Sequence, residues 1–139
     1  LATAIEGRIV LLHVLAPPVI MTAYGMTTED IASQLQQEEK RARQILERHA
    51  AVLRQQGIEV LTELREGGTS ATIIDVAQEQ AADLIVVGSH GHGAVYDLLV
   101  GSTTRVILRQ AECPVLVVPH RVRAAAPASI EVAVAAQRA

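Results

Sequence analysis

Apolar positions along this chain recur with two periods, one near two residues and one near three and a half. Arg8 to Leu15 (RIVLLHVL) is a short, nearly continuous apolar run rich in β-branched residues, the pattern of a strand covered on both faces. Pro17 and Pro18 stop it, because proline supplies no ladder donor, and the chain through about Met26 reads as a loop. Helical spacing follows. Ile31, Leu35, Ala42, Ile45, Leu46 and Leu53 fall on one face of a long helix, and Glu38, Glu39, Lys40, Arg41 and Arg43 occupy the solvated remainder. Thr27 or Thr28 can cap that helix, and Glu29 and Asp30 suit the positive end of its dipole. Gly57 stands where a left-handed residue would end it.

Ile58 to Leu64 alternates apolar and polar residues, which predicts a half-covered strand at a sheet edge. Gly67 and Gly68 form a turn, and Thr69 or Ser70 starts a second helix with Ile73, Ile74, Ala77 and Ala81 facing inward. Asp83 to Gly88 (DLIVVG) is the strongest buried-strand signal in the chain. A helix from about Ser102 to Gln110 and a strand over Pro114 to Pro119 (PVLVVP) complete the series. Strands alternating with helices predict an α/β domain: an open parallel sheet with helices on both faces. After His120 the composition turns alanine-rich (RVRAAAPAS), so the domain is expected over 1–120 with a loose tail over 121–139.

Composition narrows the function. The 139 residues suffice for one domain, and half are hydrophobic, mostly aliphatic, with two Tyr and no Phe or Trp. Such a chain offers no aromatic platforms for stacking bases. Its net charge of −3, with both signs interleaved, offers no basic stripe for a phosphate backbone. No nucleic-acid partner is expected. Apolar runs fall well short of the roughly 20 residues of a membrane span, and no signal-peptide pattern opens the chain, so a cytoplasmic setting without membrane contact is expected. Cys113 is the single cysteine, which precludes an intrachain disulfide and reads as a structural thiol.

Candidate chemistry sits in Gly88-Ser89-His90-Gly91-His92-Gly93 and in Gly101-Ser102-Thr103-Thr104. In open α/β sheets, ligands bind beyond the carboxyl ends of strands, and Gly88 closes the best strand. Gly91 and Gly93 allow positive φ and close approach of a ligand to the backbone. Gly101 and Ser102 open a helix whose first N–H groups lack partners and attract anions. Either cluster alone reads as a tight turn or a helix cap. At the ends of consecutive βα units they together favour an anion site suited to a nucleotide. His90 and His92 lack a third ligand and make a poor metal site. His13 reads as a structural histidine inside a strand, Asp97 as a turn residue, and no catalytic residue emerges.

The spacing of Gly88, Gly91, Gly101 and Ser102, G-x2-G-x9-G-[ST], resembles the ATP-binding signature of the universal stress protein family. LLHVL (11–15), EGG (66–68), ADLIVVGSHG (82–91) and GSTTRVILRQAECPVLVVP (101–119) resemble that family's landmarks in order. The resemblance implies a three-layer Rossmann-like fold and an ATP-binding stress-response regulatory module. Its nucleotide would lie on Gly88, Gly91, Gly101 and Ser102, with Ser89, His90 and Thr103 assisting and the Val14 backbone meeting the adenine. Mg2+ or Mn2+ would accompany the phosphates, and activity beyond slow ATP hydrolysis is not expected. It also implies a homodimer through Val115 to Val118. Two alternatives stand beside it: an interaction module of the same fold that binds no nucleotide, and an ATP-using enzyme of related fold.

The family pattern opens with a strand ending in an aspartate that contacts adenine, then a helix. Neither the strand nor that aspartate is visible here, and Leu1 to Gly7 reads as the tail of that helix. Either the sequence is a piece of a longer chain, or Ile130 to Ala135 (IEVAVA) inserts as a replacement strand, within one chain or swapped between two.

Overall fold

The computed structural model describes residues 7–17, 28–88, 101–118 and 132–136. Its elements in chain order are β1 (Arg8–Leu15), α1 (Thr28–Gln55), β2 (Glu59–Glu66), α2 (Thr69–Glu79), β3 (Leu84–Gly88), α3 (Ser102–Gln110), β4 (Val115–Val118) and β5 (Val132–Ala136). They build one five-stranded sheet in the order β2-β1-β5-β3-β4.

Two layers of helix cover the sheet, as the double-sided apolar runs require. On one face α2 and α3 pack together over Val10, Leu12, Ile85 and Val87, and the core there is completed by Ile73, Val76, Ala77 and Ile107. On the other, α1 lays Leu46 and Ala50 against Leu11 and Val60. Alternate residues of β1 therefore serve opposite cores, the period of two expected of a strand. α1 is buried where it crosses β1 and β2, through Ala42, Leu46 and Ala50, whereas Leu35 in its early turns is exposed. Gly57 carries φ +78°, the left-handed conformation expected at the end of α1.

The edge of β2 is fastened to α2 by polar groups. Arg65 pairs with both Glu63 (2.8 Å) and Glu79 (2.7 Å), and Gln80 donates to Glu63 (2.7 Å) while accepting from Arg8 (3.2 Å).

Two expectations need correction. The segment over 121–139 is not all loose tail: the alternative reading, insertion of Ile130 to Ala135 as a replacement strand, matches β5 (Val132–Ala136) at the centre of the sheet. β5 also runs antiparallel to both neighbours, so the sheet is parallel only in β1 to β4. The physical reason lies in the gap: β1 and β3 share no ladder, and a buried strand edge without partners leaves N–H and C=O groups unsatisfied. Ala81 needs a local correction as well. Helix α2 ends at Glu79, and Ala81 is an exposed turn residue at φ 48° rather than an inward-facing one.

Candidate functional site

The four parallel strands all end at one edge of the sheet, and the sequence-predicted groups that the structure describes gather there. Leu11 and Val86 pair with the same residue of β5, Ala133, which sets β1 and β3 level. Val14 and Gly88 therefore reach the same edge, separated by the width of β5, about 10 Å across two strand spacings. Val14 is half-buried beside Arg65 in register, its side chain packed against the core under α2 and α3. Its neighbour His13 is half-buried opposite Leu64.

Gly88 ends β3, and the amino end of α3 is held against it. Thr104, 5% exposed, donates its Oγ1 hydrogen to the Gly88 carbonyl at 3.1 Å. This contact brings Gly101, Ser102 and Thr103 to the strand end. Gly101 is the N-cap, in extended conformation with no side chain to cap the helix, and its carbonyl accepts the first helical bond from Arg105 N–H at 2.9 Å. The amides of Ser102, Thr103 and Thr104 precede that bond and have no acceptor within the helix. Ser102 is exposed and Thr103 half-buried. Ser89, His90 and Gly91, with His92, Gly93 and Asp97, lie outside the described residues.

Thr104 was not among the expected site residues. Its signal was present in the helix period, since it stands three residues before Ile107 on the buried stripe of α3. A second feature is the amino end of α2, which opens at the same edge. Its N-cap is Gly68, again without a side-chain cap, and Gly67 N–H donates to the Leu15 carbonyl at 3.0 Å. Two uncapped helix termini therefore face the edge where β1 and β3 end, and each adds positive potential there.

At the opposite edge lies a cavity of about 200 Å³ lined by Ile74, Ala77, Gln78, Ile85, Glu112 and Cys113. Burial there pushes the Cys113 thiol above its ordinary pKa, with Asp83 and Glu112 adding to the effect, as for a structural rather than a reactive cysteine. Among the described residues no cluster of three or more His, Cys, Asp or Glu side chains could hold a metal ion. No helix of the described residues is long and apolar enough to cross a membrane.

A sheet parallel in four strands, helices on both faces and glycine-bearing turns at the carboxyl edge define a Rossmann-like α/β domain. Comparison with known proteins gives it a family. The profile of the universal stress protein family matches residues 1–119, and the chain belongs to that family. A universal stress protein of Synechocystis sp. is 41% identical over 97 residues, 70% of this chain and 55% of that protein. One from Methanocaldococcus jannaschii is 33% identical over 89 residues, 64% of this chain and 51% of that protein. The chain thus spans about half the length of these curated relatives. Among solved structures, MJ0577 superposes with a TM-score of 0.67 at 26% identity, covering 82% of this chain and 76% of its own. The universal stress protein UspA of Lactobacillus plantarum superposes at 0.62 and 27% identity, covering 77% and 74%.

Proposed function

We propose that this chain is an ATP-binding regulatory module of the universal stress protein family. The observation that carries the reading is the tie between Thr104 and the Gly88 carbonyl. It sets the uncapped amino end of α3 at the carboxyl end of β3, where a polyphosphate would find unpaired N–H donors and a favourable dipole. The described residues fit such a ligand: Gly88 and Gly101 project no side chain into the approach, and Ser102 and Thr103 add hydroxyls. Gly91, Ser89 and His90 belong to the same reading through the spacing of the signature, and the Val14 backbone is the edge nearest an adenine.

Mg2+ or Mn2+ would be held chiefly by the phosphates, supplying charge neutralisation rather than a protein-built metal centre. This chain's own part is to bind and orient, so ATP hydrolysis, if measurable, is slow. The cytoplasm is the setting consistent with one unpaired thiol.

The dimer belongs to the same proposal. β4 is an edge strand, and Leu116 and Val118 are 48% and 46% exposed along it. Pairing of Val115–Val118 with the same strand of a second copy would satisfy its open edge in an isologous contact.

The test is a calorimetric titration of the folded chain with Mg-ATP and with AMP, repeated on Gly101→Val. Saturable ATP binding well above that of AMP, lost in the variant, is the expected result. Absence of ATP binding by a folded chain would refute the proposal and leave an interaction module of the same fold. Equal affinity in Gly101→Val would remove the phosphate cradle from α3.

A further inference from the structure

The cavity at the amino edge of the sheet lies away from the described residues of the candidate nucleotide site. All its lining residues fall between 74 and 113, in the last turns of α2, the start of β3 and the turn from α3 to β4. Ile85 and Ala77 are buried and form its floor, with Ile74, Ala82 and Ala111 half-buried around them. Alanines stand where larger side chains would close the space between the two helices, and about 200 Å³ is left open. At about 30 Å³ per water, that volume suits a ligand with roughly six non-hydrogen atoms.

The charges around this cavity are of one sign. Among the described residues no lysine, arginine or histidine lines it, and Glu112 is exposed at its rim beside Gln78. The charged groups that act on the Cys113 thiol in its wall are the carboxylates of Asp83 and Glu112. The cavity also lies at the carboxyl ends of two helices, since α2 closes at Glu79 and α3 at Gln110. Each helix turns the negative end of its dipole there. Their amino ends face the candidate nucleotide edge, so the same pair of dipoles suits one edge to anions and the other to cations.

We propose that this cavity binds a small alkylammonium ion, its alkyl chain on Ile74 and Ile85 and its ammonium at the Glu112 carboxylate. The chain releases water from an apolar floor. The ammonium brings donors to a carboxylate and to the side-chain carbonyl of Gln78, both of which accept. A carboxylate of the same shape meets like charge, and an alcohol of the same shape forgoes the charge-assisted bond. A bound ion covers the Cys113 thiol, which makes the single cysteine of the chain a reporter of occupancy.

The folded chain is titrated with 3-methylbutylammonium chloride at constant pH and ionic strength. Alkylation of Cys113 by iodoacetamide is followed against free cysteine in the same solutions, and calorimetry gives the affinity independently. The expected result is saturable slowing of alkylation by the ammonium ion, with binding about tenfold weaker for 3-methylbutanol and none for 3-methylbutanoate. Ala111→Leu, which fills the cavity, should abolish binding. Glu112→Gln, at an exposed position, should weaken it about tenfold and leave the fold intact. No saturable slowing by the ammonium ion, or equal affinity for the alcohol, would overturn the proposal. So would binding that survives in Ala111→Leu, which marks loose association with surface carboxylates. If Ala111→Leu does not fold, Glu112→Gln decides, and unchanged affinity there overturns the assignment.

Discussion

Replacing Thr104 by valine separates the hydrogen bond that builds the candidate site from the packing around it. The Thr104 side chain is 5% exposed and its Oγ1 donates to the Gly88 carbonyl at 3.1 Å. Valine keeps the shape and deletes the donor. A neutral hydrogen bond contributes about 1 kcal/mol net, and the loss rises toward 3 kcal/mol only when the abandoned partner stays buried. Gly88 is exposed, so water can reach its carbonyl, and the lower figure of about 1 kcal/mol applies. For a chain of this length that corresponds to a fall in Tm of roughly 4 °C. Thr104→Ser is the complement, keeping the donor and deleting one methyl worth about 0.8 kcal/mol. Urea denaturation and ATP titration of both variants give the comparison. The two should lose similar stability, while Thr104→Val alone weakens ATP binding, because it alone releases α3 from the end of β3. A Thr104→Val chain as stable as the parent, within about 0.3 kcal/mol by the same hydrogen-bond scale, would refute the reasoning.

Core, cap and thiol give three more tests. Ile73→Ala removes a side chain with no exposure from the larger core and should cost 2–5 kcal/mol (roughly) in urea denaturation, whereas Val52→Ala, 52% exposed on α1, should stay within about 0.5 kcal/mol. Gly68→Ser supplies α2 with the cap it lacks, at a position whose Cβ meets nothing within 4 Å, and should raise stability by about 0.3 kcal/mol in the same assay. Cys113 has a raised folded pKa, so its protonated form favours the native state. That contribution is fully present below the unfolded thiol pKa and is lost as pH rises through the folded one. Alkylation of the native chain near pH 8.5 should be slower than that of free cysteine, and urea should abolish the difference.

The elements with long or dense apolar patterns were legible in the sequence. β1 and β3 announce themselves as continuous apolar runs, α1 through its helical stripe, and the end of α1 through Gly57. The open edge at β2 followed from its alternation, since only one face of an edge strand needs to be apolar. Other features carried no local signal. Alternation in IEVAVA marked a strand without its direction, because a period of two is the same read forwards or backwards. That 132–136 enters the middle of the sheet follows from the gap between β1 and β3, a non-local demand. Ala81 has the periodicity of α2 but falls beyond its end, where hydrogen bonding and not apolarity decides. Of the candidate site, Gly88, Gly101 and Ser102 were legible through their glycine-rich spacing and strand ends. Thr104 was legible only as part of the buried stripe of α3, and its bond to a residue sixteen positions away was not.

The place of β5 also governs how this sheet can be assembled in time. Leu12 meets Val132, and Val86 meets Ala133, so one short strand closes contacts across most of the chain and across about a third of it at once. Each closure spends loop entropy before the ladder returns any stabilisation. The β1–α1–β2 and β3–α3–β4 units can form early from nearer neighbours, leaving a cleft with two unpaired strand edges until β5 enters. That late step is a long-range closure within one chain, and a chain halted before it exposes two unpaired strand edges to aggregation.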